Sequence, residues 1–401
     1  MSNAVVTGIG IIASNGANKE HFFETIINGQ TGLKKSGIFD ELHIKSTSIA
    51  GEVDEAYLTY QDQIGIEEKS ILMAYQAIDE ALHDSKISKS EIKNMGMKCG
   101  LSVSTSISGN LNTMKHIKSK HNNINSNPEW LVNVPNYTRK VARFCNVSGA
   151  TYTTVSACAA GTAGVGIAID QIRNGNLDVV LVVGMDMLAD ISVAGFHSLE
   201  SMSVNGCSPF DKNRDGTSLG EGAAAFIVES KEHALMRNAH IYGELLGYGL
   251  SNDAYHITSP DPEGSGAIRA MNMALKESQL NPQDIDYINV HGTATELNDV
   301  MEAKAITDLM EVASPDVLIS STKAVTGHCL GAAGSVEMAV ILMALDRNIV
   351  PLTAKLVDVP NEFGELKLVY GKSIEKEIKY AMSNSFAFSG NAASVVVGKV
   401  N

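Results

Sequence analysis

Positive charge and cysteine are both scarce in this chain of 401 residues. Lys and Arg number 31 against 45 Asp and Glu, and the resulting net charge of −14 argues against non-specific binding to nucleic acid. The five cysteines (Cys99, Cys145, Cys158, Cys207, Cys329) are odd in number and scattered, with no CxxC pair. That excludes a zinc ribbon, argues against a disulfide framework and points to a reducing, cytoplasmic setting. No apolar run of about 18 residues escapes interruption by charge, so no membrane span is expected. The N-terminus lacks the basic patch and apolar run of a secretory signal. Low-complexity tracts and Pro-rich linkers are missing, so any two halves should be tightly fused. What remains, 44% apolar and 19% charged residues over a length generous for one core, describes a globular protein of two packed halves.

Strand-like and helix-like segments alternate, which places the chain in the α/β class. Helices are expected over 18–27, 66–83 (with Ile71, Leu72, Tyr75, Ile78 and Leu82 on one stripe), 266–276 and 296–310. Strands are expected over 99–103 and 151–155. Residues 178–183 form a short apolar run suited to a strand buried on both faces. The stretch 203–219, rich in Gly, Asp and Ser, reads as a long functional loop.

Three loops stand out chemically. Cys158 lies in Ser156-Ala157-Cys158-Ala159-Ala160-Gly161, where a strand meets a helix of small residues. A thiol at a helix N-terminus faces unpaired N–H groups, and a lowered pKa is expected there. His291, in Val290-His291-Gly292-Thr293-Ala294-Thr295, and His328, in Thr326-Gly327-His328-Cys329-Leu330-Gly331, each follow an apolar strand-like run. Strand-end loops hold a large share of catalytic groups in α/β proteins. The same segments carry an internal repeat. Ala159-Ala160-Gly161-Thr162 leads through an apolar helix to Arg173-Asn174, and Ala332-Ala333-Gly334-Ser335 leads through another to Arg347-Asn348. Two halves related by a pseudo-twofold would bring both helix starts to one site.

Read in order, these segments resemble the β-ketoacyl-acyl-carrier-protein synthases along nearly the whole chain. The likeness is carried by Val5-Val6-Thr7-Gly8-Ile9-Gly10, Ala157-Cys158-Ala159, Pro209-Phe210-Asp211 through Gly220-Glu221-Gly222, and Asp253-Ala254-Tyr255-His256-Ile257-Thr258. The two His motifs and Asn384-Ser385-Phe386-Ala387-Phe388-Ser389-Gly390 complete it. The resemblance implies a five-layered αβαβα thiolase fold. Its first half would span residues 1–240 with Cys158, and its second 241–401 with His291 and His328. It implies that Cys158 holds the acyl chain while His291 and His328 serve malonyl decarboxylation. Lys323 and Glu337 would organise the His328 loop, and the N–H groups of Cys158 and Phe388 would form an oxyanion hole, with Phe388 also gating. Thr293 and Thr295 would meet the phosphopantetheine arm of an acyl carrier protein. No metal or cofactor is expected, and a homodimer or a heterodimer with a ketosynthase-like subunit is.

Several positions depart from the family pattern. Ala294, Ala387 and Ser389 stand where glycine is usual, Ala392 replaces an Asn, Thr217 an aromatic, and Ser208 a basic residue. The acidic carrier would need a basic patch, for which Lys115, Lys118, Lys120, Arg139, Lys140 and Arg143 are the densest candidates. Rival readings are a Cys-His-His zinc site, a cysteine hydrolase, and a chain-length-factor-like partner subunit. The last would lack the nucleophile that Cys158 supplies.

Overall fold

The computed structural model describes residues 3–60, 62, 68–107, 134–310 and 316–400. Ten strands share one hydrogen-bonded sheet: β1 (Ala4–Ala13), β2 (Cys99–Ser104), β3 (Thr151–Thr154), β4 (Val179–Asp186), β5 (Gly222–Ser230), β6 (Gly243–Asn252), β7 (Tyr287–Asn289), β8 (Leu318–Ser320), β9 (Tyr380–Phe386) and β10 (Asn391–Gly398). Their order is β8-β7-β9-β10-β6-β1-β5-β4-β2-β3. Counted from each outer edge inward, both halves run third, second, fourth, fifth, first.

The pairing senses repeat as well. The pairs β2–β3, β2–β4, β7–β8 and β7–β9 are parallel. The pairs β4–β5, β1–β5, β9–β10 and β6–β10 are antiparallel. The halves join where β1 and β6 meet antiparallel, at Ala4↔Leu245, Val5↔Glu244 and Val6↔Gly243. This is the mixed α/β thiolase-like fold, with the internal repeat written into its topology.

The main helices are α1 (Lys19–Ile27), α2 (Lys69–Ser85), α3 (Val134–Cys145), α4 (Ala160–Arg173), α5 (Ser265–Ser278), α6 (Glu296–Met310) and α7 (Ala333–Arg347). Helices α4 and α7 form the middle layer, in one apolar core with β1, β4 and β5. Two further large cores lie under α2 and α3 and under α5 and α6, and a small one gathers Phe39, Leu188, Val193, Leu219 and Leu330. The stripe Ile71, Leu72, Tyr75, Ile78, Leu82 is buried, as its spacing requires. The helix begins at Lys69, and residues 66–67 of the expected span lie outside the described residues. All eight residues of β4 are buried because helices cover both faces. Among the described residues, no helix is long and apolar enough to cross a membrane.

Small residues let α4 and α7 touch at their starts. A Cβ on Gly161 would lie 2.5 Å from the Ser335 nitrogen, and one on Gly334 would lie 2.7 Å from the Thr162 nitrogen. The contacts are reciprocal, as a twofold through the crossing demands. That crossing brings the loops before α4 and α7 together.

Candidate active site

Cys158 occupies the turn between β3 and α4. Ala157 before it has φ 49°, a left-handed conformation that costs a residue with a Cβ roughly 1–2 kcal/mol. The strained turn places Cys158 on the wall of a cavity of about 380 Å3, and the residue is 7% exposed. The expected lowering of its pKa is not what this environment produces. Burial pushes the thiol up to about 12; the Lys323 charge opposes the rise and Asp186 adds to it. The helix starts only at Ala160, and the N–H groups just after the cysteine are taken up locally, Ala159 by the Ser156 carbonyl and Ala160 by the Ala157 carbonyl, both at 3.1 Å, while desolvation acts on the thiol directly.

His291 follows β7 and His328 follows the short helix Lys323–Thr326 after β8, so both come from the second half. Cys158 Sγ and one ring nitrogen of each histidine all lie within 4.8 Å of one another. The rings stand edge to face, with centroids 5.3 Å apart. Both are buried and held well below the usual imidazole pKa, first by desolvation and then by the Lys323 charge, with His328 adding to the effect at His291. Both are therefore neutral.

Local contacts fix which nitrogen carries the proton. The Leu330 N–H donates to His328 Nδ1 at 3.1 Å. Lys323 Nζ stands 3.4 Å from His291 Nδ1 and also donates to the His291 carbonyl. With each Nδ1 facing a donor, each Nε2 holds the hydrogen.

Lys323 and Glu337 form a buried ion pair, 1% and 2% exposed. Burial raises Glu337 to about 7 despite the lysine. The lysine side chain reaches the β7 end at His291, while its charge also acts on His328 and its carbonyl accepts from the Gly327 N–H just before that histidine at 2.8 Å. The central loop holds His328 as well: its N–H donates to the Ser218 carbonyl at 2.7 Å, and its own carbonyl accepts from the Gly220 N–H at 2.9 Å. The stretch 203–219 is a loop, as its composition indicates.

Cys158, Thr293, Thr295, Glu296 and Leu297 all line the cavity, and the hydroxyls of the two threonines are 2.9 Å apart. Phe388 lies on its wall with its ring centroid 5.3 Å from that of Phe196. Phe196 in turn meets His328 edge-on at 6.3 Å. Of the loop departures, Ser389 is left-handed at φ 63° and Ala294 at φ 65°, whereas Ala387 is extended at φ −139°.

Sequence reasoning did not single out the carboxylates beneath the histidine loop. Glu302 accepts the His291 and Gly292 N–H groups, both at 2.8 Å. Burial raises it to about 8. Asp299 accepts the Phe210 N–H at 2.9 Å and the Ala294 N–H at 3.2 Å. The available signal was two acids three apart on the helix directly after the histidine motif. Of the basic candidates, Lys115, Lys118 and Lys120 lie outside the described residues. Arg139 and Arg143 are exposed on α3, and Lys140 is half-buried there.

Residues 1–234 match the family "Beta-ketoacyl synthase, N-terminal domain", and residues 242–357 match "Beta-ketoacyl synthase, C-terminal domain". The chain is 31% identical to 3-oxoacyl-[acyl-carrier-protein] synthase 2 of Coxiella burnetii, over 99% of this chain and 98% of that protein. It is 32% identical to the Staphylococcus aureus (strain COL) protein of the same name, over 98% of each. Among solved structures it resembles a β-ketoacyl synthase from Burkholderia phymatum (TM-score 0.90, 28% identity, 100% of both chains). It also resembles the AntDE:AntF complex, described as a type II acyl-carrier protein with its ketosynthase (TM-score 0.90, 28% identity, 100% of both chains). The ishigamide ketosynthase/chain length factor is similar at TM-score 0.90 and 26% identity, with 100% of both chains covered.

Proposed function

The chain belongs to the β-ketoacyl synthase family, and on that premise we propose how its residues divide the reaction. The activity is that of a 3-oxoacyl-[acyl-carrier-protein] synthase, an acyltransferase that condenses an acyl thioester with a malonyl thioester in fatty-acid or polyketide synthesis. Cys158, His291 and His328 stand together in one site, which argues against a chain-length factor.

In the first half-reaction the Cys158 sulfur attacks the acyl thioester. The new S–C bond replaces the carrier's, and the proton that the thiol gives up is returned to the phosphopantetheine sulfur as it leaves. In the second, the bond from the malonyl carbon to its carboxylate breaks, CO2 departs and the electron pair becomes an enolate. The Nε2–H groups of His291 and His328 donate to that oxygen. The enolate carbon attacks the acyl group, and the tetrahedral oxyanion is held by the N–H groups of Cys158 and Phe388. Its collapse releases the Cys158 thiolate, which takes a proton from water. Thr293 and Thr295 line the route of the phosphopantetheine arm. The observation that carries this reading is the pair of neutral rings with Nδ1 occupied.

We also divide the chain at residues 240 and 241 and assign an acyl carrier protein as substrate donor. A second ketosynthase-like subunit would pair along the outer edge of β3, where Val155 is 57% exposed, giving a homodimer or a heterodimer. The five free thiols support a reducing, cytoplasmic-type compartment. Incubation with a panel of acyl-carrier and malonyl-carrier thioesters, read by intact-protein mass spectrometry, tests the assignment. Acylation confined to Cys158, followed by release of a 3-oxoacyl carrier, is expected. Acylation elsewhere, or hydrolysis without chain extension, overturns it.

A further inference from the structure

Asp186 is a fully buried carboxylate that the reaction above does not use. It ends β4 in the first half and reaches across to the second. Its oxygens accept from Thr105 Oγ1 at 2.5 Å, the Ser106 N–H at 2.8 Å, Ser106 Oγ at 2.7 Å, the Ile107 N–H at 3.2 Å and the Gly331 N–H at 2.6 Å. Among the described residues it has no salt-bridge partner, so these donors alone meet its charge. Gly331 is pressed against it: a Cβ there would lie 2.7 Å from Asp186 Oδ2 and 2.5 Å from the Ser106 nitrogen.

Gly331 is three residues after His328, and Leu330 between them is left-handed at φ 53°. That strained residue supplies the N–H that His328 Nδ1 accepts. A leucine keeps such a conformation only where its surroundings impose it. On its C-terminal side the Gly331 N–H donates to Asp186 at 2.6 Å and more weakly to Ser106 Oγ, itself bound to Asp186, at 3.1 Å, while the Ala332 N–H closes a turn onto the Cys329 carbonyl at 3.0 Å.

We propose that Asp186 is a positioning residue for His328: by gripping the Gly331 N–H from the opposite half, it holds Leu330 left-handed and so keeps the His328 Nε2–H aimed at the developing enolate. The inference rests on the condensing reading of the site. It predicts an effect on one half-reaction only. A misplacement of about 1 Å in a reacting group can cost about 100-fold in rate. The negative charge of Asp186 also opposes ionisation of Cys158, so its removal should not slow acylation.

The test is Asp186→Asn, with Asp186→Glu as the conservative variant, in the full-length protein. Thermal unfolding, Cys158 self-acylation and malonyl-carrier decarboxylation are measured on each. In Asp186→Asn, decarboxylation is expected to fall about 10–100-fold. Acylation should be unchanged or faster, and Asp186→Glu should recover part of the loss. Equal losses in both half-reactions, or no loss in either, overturn the proposal. If Asp186→Asn does not fold, Thr105→Val, which removes one donor to the carboxylate, decides: a smaller split in the same direction supports the role, and its absence refutes it. Wild-type protein that acylates but never decarboxylates malonyl carrier overturns the condensing reading itself, independently of Asp186.

Discussion

Gly161 and Gly334 occupy equivalent places at the starts of the two central helices, and each is pressed against the backbone of the other helix. Neither has room for a methyl group. Gly→Ala within a helix ordinarily gains up to about 1 kcal/mol, but overpacking a tight contact costs about 1–3 kcal/mol. Gly161→Ala and Gly334→Ala should therefore each lower the melting temperature, and each should slow the reaction by shifting Cys158 against His328. An alanine variant with a raised melting temperature and full activity would show that the crossing is loose.

Cys158 should react with iodoacetamide faster than the other four cysteines, through access rather than acidity. Cys158 lines the cavity at 7% exposure, while Cys99, Cys145, Cys207 and Cys329 are 0–1% exposed. Burial raises its pKa to about 12, so alkylation should keep climbing as pH rises beyond 9. A plateau near pH 7 would reveal a thiolate stabilised at neutral pH. Cys158→Ala should abolish covalent acylation.

His291→Ala and His328→Ala should leave self-acylation of Cys158 largely intact while decarboxylation falls by about 10²–10³-fold per donor. Parallel loss of both half-reactions would instead make the histidines bases for the thiol. Chelators should leave activity unchanged, because in this reaction the two imidazoles act as hydrogen-bond donors and no step calls on a metal.

Decarboxylation should show no inflection near pH 6.5, since both histidines are held neutral well below that value. Stability should respond in the opposite sense to a surface histidine gaining an acidic partner. A folded pKa depressed below the unfolded one means that the unfolded chain binds more protons, so stability is present above about pH 6.5 and is lost on acidification through the folded values. Glu302 and Glu337, raised to about 8 and about 7, act in the opposite sense over the same range. The histidine contribution is therefore read by comparing melting curves of wild type and His291→Ala between pH 7 and 5: wild type should lose more on acidification than the variant, and an equal or smaller loss would contradict it.

Ser389→Gly should stabilise the protein by about 1 kcal/mol, the cost of a left-handed side-chain-bearing residue being removed at φ 63°. Ala387→Gly should not, because φ −139° suits any residue. The double variant should loosen the loop carrying Phe388 and broaden the range of acyl carriers accepted. An unchanged substrate profile would mean that the gate is not set by these two positions.

Much of this site is legible in the sequence because its elements are local. A strand followed by Ala, Gly and Ser marks the Cys158 turn, and glycine and threonine flank His291 and His328. The repeated Ala-Ala-Gly motif marks both central helices, and the halves' shared strand order bears out the pseudo-twofold. What the sequence could not decide depends on groups far apart along the chain. The thiol of Cys158 is acidic by its local motif but rises in pKa because distant segments exclude water from it. Lys323 and Glu337 read equally well as a surface pair until the β7 end buries them against His291. Asp186 and Gly331, 145 residues apart, meet only because the two halves face each other. Hydrophobic pattern and backbone preference act over a few residues and determine the elements; desolvation and hydrogen-bond partners belong to the packed assembly, and only the tertiary structure decides them.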